Sequence, residues 1–163
     1  MITLKNLQAG YGQKTVINLA DYHIAQGAKC LITGPSGSGK TTLLYALAGL
    51  ADVQAGQVIV NGTNIYALIA AERDHFRGAN IGIVFQTLHL LKSLSVLDNL
   101  LLGAFLGHKP QDQLWAKTLL EKLDIAHLAN SLVTDISQGQ AQRVAIARAV
   151  MNKATSENTS HMI

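Results

Sequence analysis

The sequence predicts an α/β fold, and three features of the chain favour this class. Residues 2–7 alternate apolar and polar side chains, as a half-buried strand does. Residues 28–33 read as a short buried strand that leads into a glycine-rich loop and then a helix. Residues 96–106 and 111–124 read as two further helices. We therefore expect N-terminal strands, a strand–loop–helix unit and a mainly helical second half.

Composition limits the class of protein. With 163 residues, 48% of them hydrophobic, the chain is long enough for one domain with a core. The net charge is +3, and the 13 basic residues are scattered, so no nucleic-acid surface is expected. No apolar run approaches 18 residues, so no transmembrane segment is expected. The single cysteine, Cys30, excludes an internal disulfide and is expected to be a small buried hydrophobic residue.

Turn residues divide the first half of the chain into elements. Residues 9–14 contain two glycines and predict a turn, and Gln26-Gly27 predicts another. Gly49 is a good C-terminal stop for the helix after the glycine-rich loop. Asn61-Gly62 predicts a tight turn that closes a strand. The strands predicted for this half are 2–7, 15–24, 28–33 and 56–62, and its helix is 42–48.

The second half is predicted to be mostly helical. A helix over 65–77 precedes a short apolar strand over 81–85, which places Gln86 at the strand's C-terminal end. In open α/β sheets, ligand-contacting residues collect at such ends. In the helix over 111–124, Trp115 and Leu119 share a face that we expect to be part of the core. The last predicted helix is 141–151, which residues 134–140 introduce.

The strongest functional signal is one eight-residue stretch, Gly34-Pro35-Ser36-Gly37-Ser38-Gly39-Lys40-Thr41. It fits G-x-x-x-x-G-K-[ST], the phosphate-binding loop, and has the strand and helix that this loop requires on either side. Glycine allows the backbone to approach a ligand closely, so N–H groups and the helix N-terminus converge on an oxyanion. Lys40 supplies a charge toward the β- and γ-phosphates, and Thr41 a hydroxyl for Mg²⁺. This stretch predicts a nucleoside triphosphate site.

A second helix start has a weaker signal. Ser137 is followed by Gly139, an arrangement that resembles an anion site made of exposed N–H groups and the helix dipole. A serine N-cap explains the same residues equally well. Taken alone, these residues leave both interpretations open.

Taken together, these features resemble the ATP-binding subunit of an ABC transporter, over residues 1 to about 153. The resemblance implies N-terminal antiparallel strands and a helical subdomain at about 87–132. Tyr11 is similar to the aromatic residue that stacks on adenine in that family, a contact typically worth about 1–3 kcal/mol. Residues 34–41 match the phosphate loop of this family, which has the phosphate-loop NTPase fold. Thr42 matches the second hydroxyl residue of that loop. Gln86 matches the glutamine that contacts Mg²⁺ and the attacking water.

The signature sequence of the family is also matched. Residues 136–140 read Ile-Ser-Gln-Gly-Gln, where the family usually has Leu-Ser-Gly-Gly-Gln. The resemblance implies that Ser137, Gly139 and Gln140 contact ATP. The length of the chain and the residues of its motifs resemble those of subunits that serve permeases of the lipoprotein-release and macrolide-export type.

The resemblance implies a mechanism, with ATP and Mg²⁺ as cofactors. Two ATP-binding domains, identical or paralogous, pair head to tail, so that Ser137 and Gly139 meet the γ-phosphate held by the other copy's Lys40. ATP binding and hydrolysis then drive an integral membrane permease, on which the segment 87–132 docks. Such a subunit is cytoplasmic and peripheral on the inner face of the cell membrane.

After Met151 the sequence departs from the family pattern. The family continues with a hydrophobic strand ending in Asp-Glu, whereas residues 154–163 are polar and contain neither feature. We expect an incomplete domain over 1–153, truncated before that strand and followed by a disordered tail over 154–163. Hydrolysis should be poor, because positioned acid–base groups contribute about 10²–10⁴-fold. The strand over 28–33 would also lack its neighbour in the sheet.

Two other functions are considered. A non-catalytic ATP-binding module that pairs with full-length subunits shares every motif and requires a stable fold. A different phosphate-loop enzyme, such as a GTPase or small-molecule kinase, leaves Tyr11 and the signature unexplained. No Asn-Lys-x-Asp guanine motif occurs in the chain.

Overall fold

Residues 1–107 and 109–152, with the backbone of His161–Met162, are described by a computed structural model of the chain. The chain consists of two units, Met1–Phe76 and Arg77–Ile163. The α/β class predicted from the sequence is confirmed, because the first unit contains an antiparallel sheet and the second consists mainly of helices.

The sheet of the first unit is antiparallel throughout, as predicted. It contains β1 (Ile2–Tyr11), β2 (Lys14–Leu19), β3 (Tyr22–Ile24), β4 (Asp52–Val60) and β5 (Thr63–Asn64). The strand order is β2-β1-β4-β5, and β3 also pairs with β1. The alternating N-terminal strand is therefore the centre of the sheet, and it extends four residues further than predicted.

A bulge interrupts β1 and β4 at the same level. Asn6 and Gly56 both have positive φ, 45° and 86°, and the register between the strands shifts there. A Cβ at Gly56 would collide with the main-chain carbonyl of Asn6, so glycine is required at this position. In a regular strand, Leu4 and Leu7 would face opposite sides of the sheet. Because of the bulge, both of them face the core.

Helix α1 (Lys40–Leu47) packs against β1, β2 and β4. Its inner residues, Thr42, Ala46 and Leu47, are buried. The predicted turn at Asn61-Gly62 is confirmed: both residues have positive φ, 48° and 83°, and join β4 to β5. A two-residue turn of this kind matches the twist of a hairpin.

The predicted buried strand over 28–33 is wrong. No strand is assigned there, Leu31 is 85% exposed, and Cys30 is exposed as well, contrary to its prediction. A strand exists through hydrogen bonds to a neighbouring strand, and none of the strands described in either unit pairs with this segment. The apolar composition alone therefore did not determine an extended, paired conformation.

The second unit contains most of the helices. Helix α2 (Ala70–Asn80) leads into it, followed by β6 (Ile81–Gly82), α3 (Val96–Leu106), α4 (Gln113–Lys122), α5 (Gln138–Val150) and β7 (His161–Met162). Two 3-10 turns, Ala126–Leu128 and Val133–Asp135, connect α4 to α5. The prediction for α3 is confirmed to the residue, and those for α4 and α5 to within three.

Two predicted elements of this region differ from the structure. Helix α2 begins at residue 70 rather than 65, because the Ile65 N–H donates to the Val58 carbonyl at 3.0 Å and continues the pairing with β4. The strand predicted over 81–85 is limited to its first two residues, which pair in parallel with β7. The remaining residues of the predicted tail, 154–160 and Ile163, lie outside the described residues.

The core of the second unit lies between α3, α4 and α5. Its fully buried residues include Leu100, Leu120, Ile125 and Val144. Leu119 is buried and Trp115 packs against the cluster, which confirms the core face predicted for α4. Within the described ranges, no helix is both long and apolar enough to cross a bilayer.

Candidate nucleotide-binding site

The glycine-rich loop lies directly before α1 and is exposed over residues 34–38. Gly34, Gly37 and Gly39 have φ of 153°, 79° and 89°, as the prediction of close backbone approach requires. A Cβ at Gly39 would lie 2.7 Å from Ile17 Cδ1, so packing against β2 excludes a side chain there as well. The loop is thus held in one conformation by backbone geometry and by the sheet beneath it.

The N-terminus of α1 presents its N–H groups toward the loop. Gly39 occupies the N-cap position, and none of the side chains that the structure describes forms a cap hydrogen bond there. The first N–H groups of a helix have no partners within it and carry partial positive charge. An exposed helix start of this kind is a general binding site for phosphate.

Lys40 adds a full positive charge at the same place. Its Nζ donates to the carbonyl oxygens of Gly34 at 2.8 Å and Pro35 at 2.7 Å. The ammonium group therefore lies across the loop, between the start of the loop and the start of α1. A phosphate oxygen is a stronger acceptor for an ammonium group than a carbonyl, because it is ionised.

The two threonines after Lys40 differ in exposure. Thr41 is exposed, whereas Thr42 is 5% exposed and its Oγ1 lies 3.3 Å from the hydroxyl of Tyr11. Tyr11 ends β1 and is 58% exposed. The hydroxyl contact holds Tyr11 beside the start of α1 and leaves much of its ring accessible. Three predicted site features, the loop, Thr42 and Tyr11, are therefore adjacent.

Gln86 lies in an exposed bend of the second unit. Gln86 and Thr87 form the bend, and both side chains are exposed. On either side of it, the rings of Phe85 and His89 meet edge to face with centroids 5.3 Å apart. His89 has φ of 46°, which is uncommon for a residue other than glycine. The glutamine is thus presented at the tip of a closed turn.

The signature residues form the start of α5. Ser137 is the N-cap: its Oγ accepts from the Gln140 N–H at 3.3 Å, and Gln140 Oε1 accepts from the Ser137 N–H at 2.8 Å. This is a capping box, so the N-cap interpretation is confirmed. Gly139 is exposed, and a Cβ there would meet no neighbouring atom within 4 Å.

Two residues that the sequence analysis did not single out hold the segment after Gln86. Arg148 of α5 donates to the carbonyl oxygens of Leu88 at 2.6 Å and His89 at 2.7 Å. Burial lowers the pKa of the Arg148 guanidinium from its ordinary value. Asn99 of α3 is fully buried and bonds to both main-chain groups of Leu91. In both cases a polar side chain within an apolar helical stretch is the sequence feature that could have indicated a buried polar residue.

Tyr66, which was also not predicted, supports the other end of α1. Its hydroxyl donates to the Ala46 carbonyl oxygen at 3.1 Å and to that of Ala51 at 2.8 Å, which ties the end of α1 to the residues that follow it. The guanidinium of Arg73 lies 5.2 Å from the centroid of the Tyr66 ring. In the part of the chain that the structure describes, no three or more His, Cys, Asp or Glu side chains are grouped so that they could hold a metal ion.

Comparisons with known proteins agree with these features. The family described as ABC transporter matches residues 17–156. The lipoprotein-releasing system ATP-binding protein LolD 1 of Rhodopirellula baltica is 40% identical over 139 residues, which are 84% of this chain and 61% of that protein. The LolD protein of Shewanella sp. strain MR-7 is 36% identical over 85% of this chain and 61% of its own length.

A solved structure supports the same assignment. The dimeric structure of MJ0796, a bacterial ABC transporter cassette, superposes with a TM-score of 0.83 and 31% identity. The match covers 93% of this chain and 70% of the cassette. The chain spans about three fifths of the length of the two LolD relatives. Both the phosphate-loop NTPase class and the resemblance to lipoprotein-release subunits are thereby confirmed, and the chain belongs to the ABC transporter family.

Proposed function

We propose that this chain is the ATP-binding part of an ABC transporter and that its glycine-rich loop binds the phosphates of ATP. The observation that carries the proposal is the position of Lys40, whose ammonium group lies across the loop at the uncapped start of α1. A lysine charge, helix N–H groups and exposed loop backbone at one place are what a triphosphate requires. Tyr11, held at the same helix start by Thr42, supplies a ring for stacking on the base.

Mg²⁺ is proposed as the second cofactor, with Thr41 and Gln86 as its protein contacts. Both side chains are exposed and offer an oxygen atom. Mg²⁺ prefers oxygen ligands, keeps several of its waters and takes few protein ligands when it binds with a nucleotide. The absence of an acidic cluster from the described residues is compatible with such a site. When bound, the ion would neutralise phosphate charge.

A second copy or a paralogue is the proposed partner at the nucleotide. The start of α5 presents Ser137 and Gly139 on an exposed surface, and the solved cassette that this chain resembles is described as dimeric. Since the Gln140 Oε1 and main-chain N–H are both engaged in the cap, its contribution to a phosphate would come from the side-chain NH2 group. Two such surfaces would enclose ATP between the loop of one copy and α5 of the other.

A membrane permease is the proposed partner in transport. The relatives in Rhodopirellula and Shewanella are named as parts of a lipoprotein-releasing system, and we propose a permease of that type for this chain. The segment 87–132, which contains α3 and α4, is proposed to dock on it. This association would keep the chain at the cytoplasmic face of the membrane, with ATP binding and hydrolysis coupled to movements of the permease.

Measurement of ATP affinity tests the proposal. Replacing Lys40 by alanine should weaken ATP binding about tenfold to a hundredfold, because a hydrogen bond to a charged group is worth about 1.5–3 kcal/mol. Lys5→Ala is the matched control: Lys5 is an exposed lysine on β1 of the same unit. Equilibrium binding of ATP with Mg²⁺ should distinguish the two variants.

Equal affinities of the Lys40→Ala and Lys5→Ala variants would contradict the proposed site. A preference for GTP over ATP would contradict the nucleotide assignment, because stacking on Tyr11 was inferred for adenine.

A further inference from the structure

The bend that presents Gln86 is held by a side chain that is distant from it in sequence. Its base is closed by the Phe85–His89 ring contact, and its tip, Gln86 and Thr87, is exposed. His89 has a left-handed φ of 46°. A non-glycine residue keeps such a conformation only where its surroundings hold it in place. The side chain that binds the main chain of His89 is therefore important for where Gln86 points.

Arg148 is that side chain. Its two terminal nitrogens donate separately, Nη1 to the His89 carbonyl at 2.7 Å and Nη2 to the Leu88 carbonyl at 2.6 Å. Two parallel bonds from a planar guanidinium fix orientation as well as distance. The stem of Arg148 passes Gly103 of α3, where a Cβ would lie 2.9 Å from Arg148 Cγ. The missing side chain at Gly103 thus gives Arg148 its path to the bend.

We infer that Arg148 is a positioning residue for Gln86, linking the Gln86 bend to the helix that begins at Ser137. This inference rests on the proposed contact of Gln86 with Mg²⁺. Ser137 and Arg148 lie on one continuous helix, 11 residues or about 16 Å apart at 1.5 Å per residue. A displacement at the start of α5 is therefore transmitted to the main chain beside Gln86 without passing through a flexible segment.

Hydrogen exchange tests the link without any nucleotide. The Leu91 N–H, which donates to Asn99 Oδ1 at 2.9 Å, reports on the segment after the bend. In Arg148→Met, exchange in 86–94 should become about tenfold to a hundredfold faster, since bonds from a charged donor are lost. Arg148→Lys retains the charge but not the fork, and should give an intermediate rate.

Arg143→Met is the matched control for these variants. Arg143 lies on the same helix and also donates to a main-chain carbonyl, that of Leu123, at 3.1 Å. Its bond is remote from the bend in sequence, so exchange in 86–94 should be unchanged. Peptides covering 140–147 serve as the internal reference, because a general loss of stability would accelerate their exchange too. If Arg148→Met fails to fold, the comparison of Arg148→Lys with wild type decides the same point.

ATP affinity with and without Mg²⁺ tests the positional role. Arg148→Met should reduce the gain in affinity from Mg²⁺ as much as Gln86→Ala does, and should leave metal-free ATP binding within about twofold of wild type. The double variant should lose no more than about a further twofold, because residues acting through one contact are not additive. A merely structural role would instead weaken binding equally with and without Mg²⁺.

Unchanged exchange in 86–94 would overturn the inference, as would equal losses with and without Mg²⁺ or additive effects of the two substitutions. Failure of ATP to bind wild type in a Lys40-dependent manner would overturn the proposed function instead. In that case the exchange rates still decide whether Arg148 holds the bend.

Discussion

Asn99 illustrates how one buried polar side chain determines the path of a connection. It has no exposed surface, and its carboxamide accepts from Leu91 N–H and donates to the carbonyls of Leu91 and Ser95, at 2.9, 3.1 and 2.9 Å. A buried amide of this kind must have its bonds made, because unpaired polar groups in a core are costly. Asn99 thus fixes the segment between the Gln86 bend and α3.

Replacing Asn99 by alanine should lower the free energy of unfolding by about 2–3 kcal/mol. The substitution removes the hydrogen bonds that the fully buried Asn99 makes to the main chain, at about 0.5–1.5 kcal/mol each, together with the packing of its side chain. Urea denaturation measures the change. Asn130→Ala is the control, since Asn130 is exposed and should change stability by less than about 0.5 kcal/mol. A similarly small effect for Asn99→Ala would contradict this account.

Local patterns predicted the residues of the phosphate site but not those that support the Gln86 bend. The glycine-rich loop, Lys40 and Thr41 lie within eight consecutive residues, so their spacing alone was enough to propose a phosphate site there. Arg148 bonds to carbonyls 59 and 60 residues away in sequence, and no pattern in the chain relates those positions. Every residue has a main-chain carbonyl, so the residue types at these positions do not indicate which of them accepts from an arginine.

At the scale of elements, the start of α5 combines two uses of one serine. Ser137 Oγ accepts the Gln140 N–H in the capping box. A hydroxyl that accepts one bond still has a proton to donate. The cap and a contact with phosphate are therefore compatible, and the two interpretations left open by the sequence can both apply.

Ser137→Ala and Ser137→Asp separate these two roles. The alanine variant should lose about 1 kcal/mol of unfolding free energy with its cap, whereas aspartate is as good an N-cap as serine and should retain it. Both variants should weaken ATP-dependent dimerisation, and aspartate more strongly because of repulsion from the γ-phosphate. Urea denaturation and sedimentation with ATP measure the two effects. An Asp variant that dimerises like wild type would exclude the phosphate contact.

Helices were predicted better than strands in this chain, for a physical reason. Helix α3 has its own signals, a Ser95 cap that accepts from the Asp98 N–H and a continuous apolar face. A strand depends on a partner distant in sequence, which composition does not specify. Residues 28–33 have the composition of a strand and no partner among the described strands, so the prediction failed there.

At the scale of the whole molecule, we expect the exposed segment 28–33 to favour association with other chains. Leu31 is 85% exposed, and the segment has main-chain groups outside any described sheet. Unpaired main-chain groups next to exposed apolar side chains favour pairing with another chain. This property concerns solubility rather than ATP binding.

Leu31→Lys should reduce aggregation without loss of stability. A charge in an exposed segment opposes intermolecular pairing, and the side chain makes little contact that could be lost. Light scattering against protein concentration measures association, and urea denaturation should show a change below about 0.5 kcal/mol. Leu114→Lys is the control: Leu114 is 78% exposed, but it lies on helix α4, which offers no strand edge for pairing. A large loss of stability in Leu31→Lys would mean that the segment is packed.

The bonds of Arg148 have an evolutionary consequence. Because the guanidinium donates to the main-chain carbonyl of Leu88, substitutions at Leu88 leave this acceptor in place. The side chain at Leu88 can therefore diverge between related subunits while the shape of the bend is inherited. Protein engineers could use the same property to alter what this surface recognises and leave Arg148 untouched.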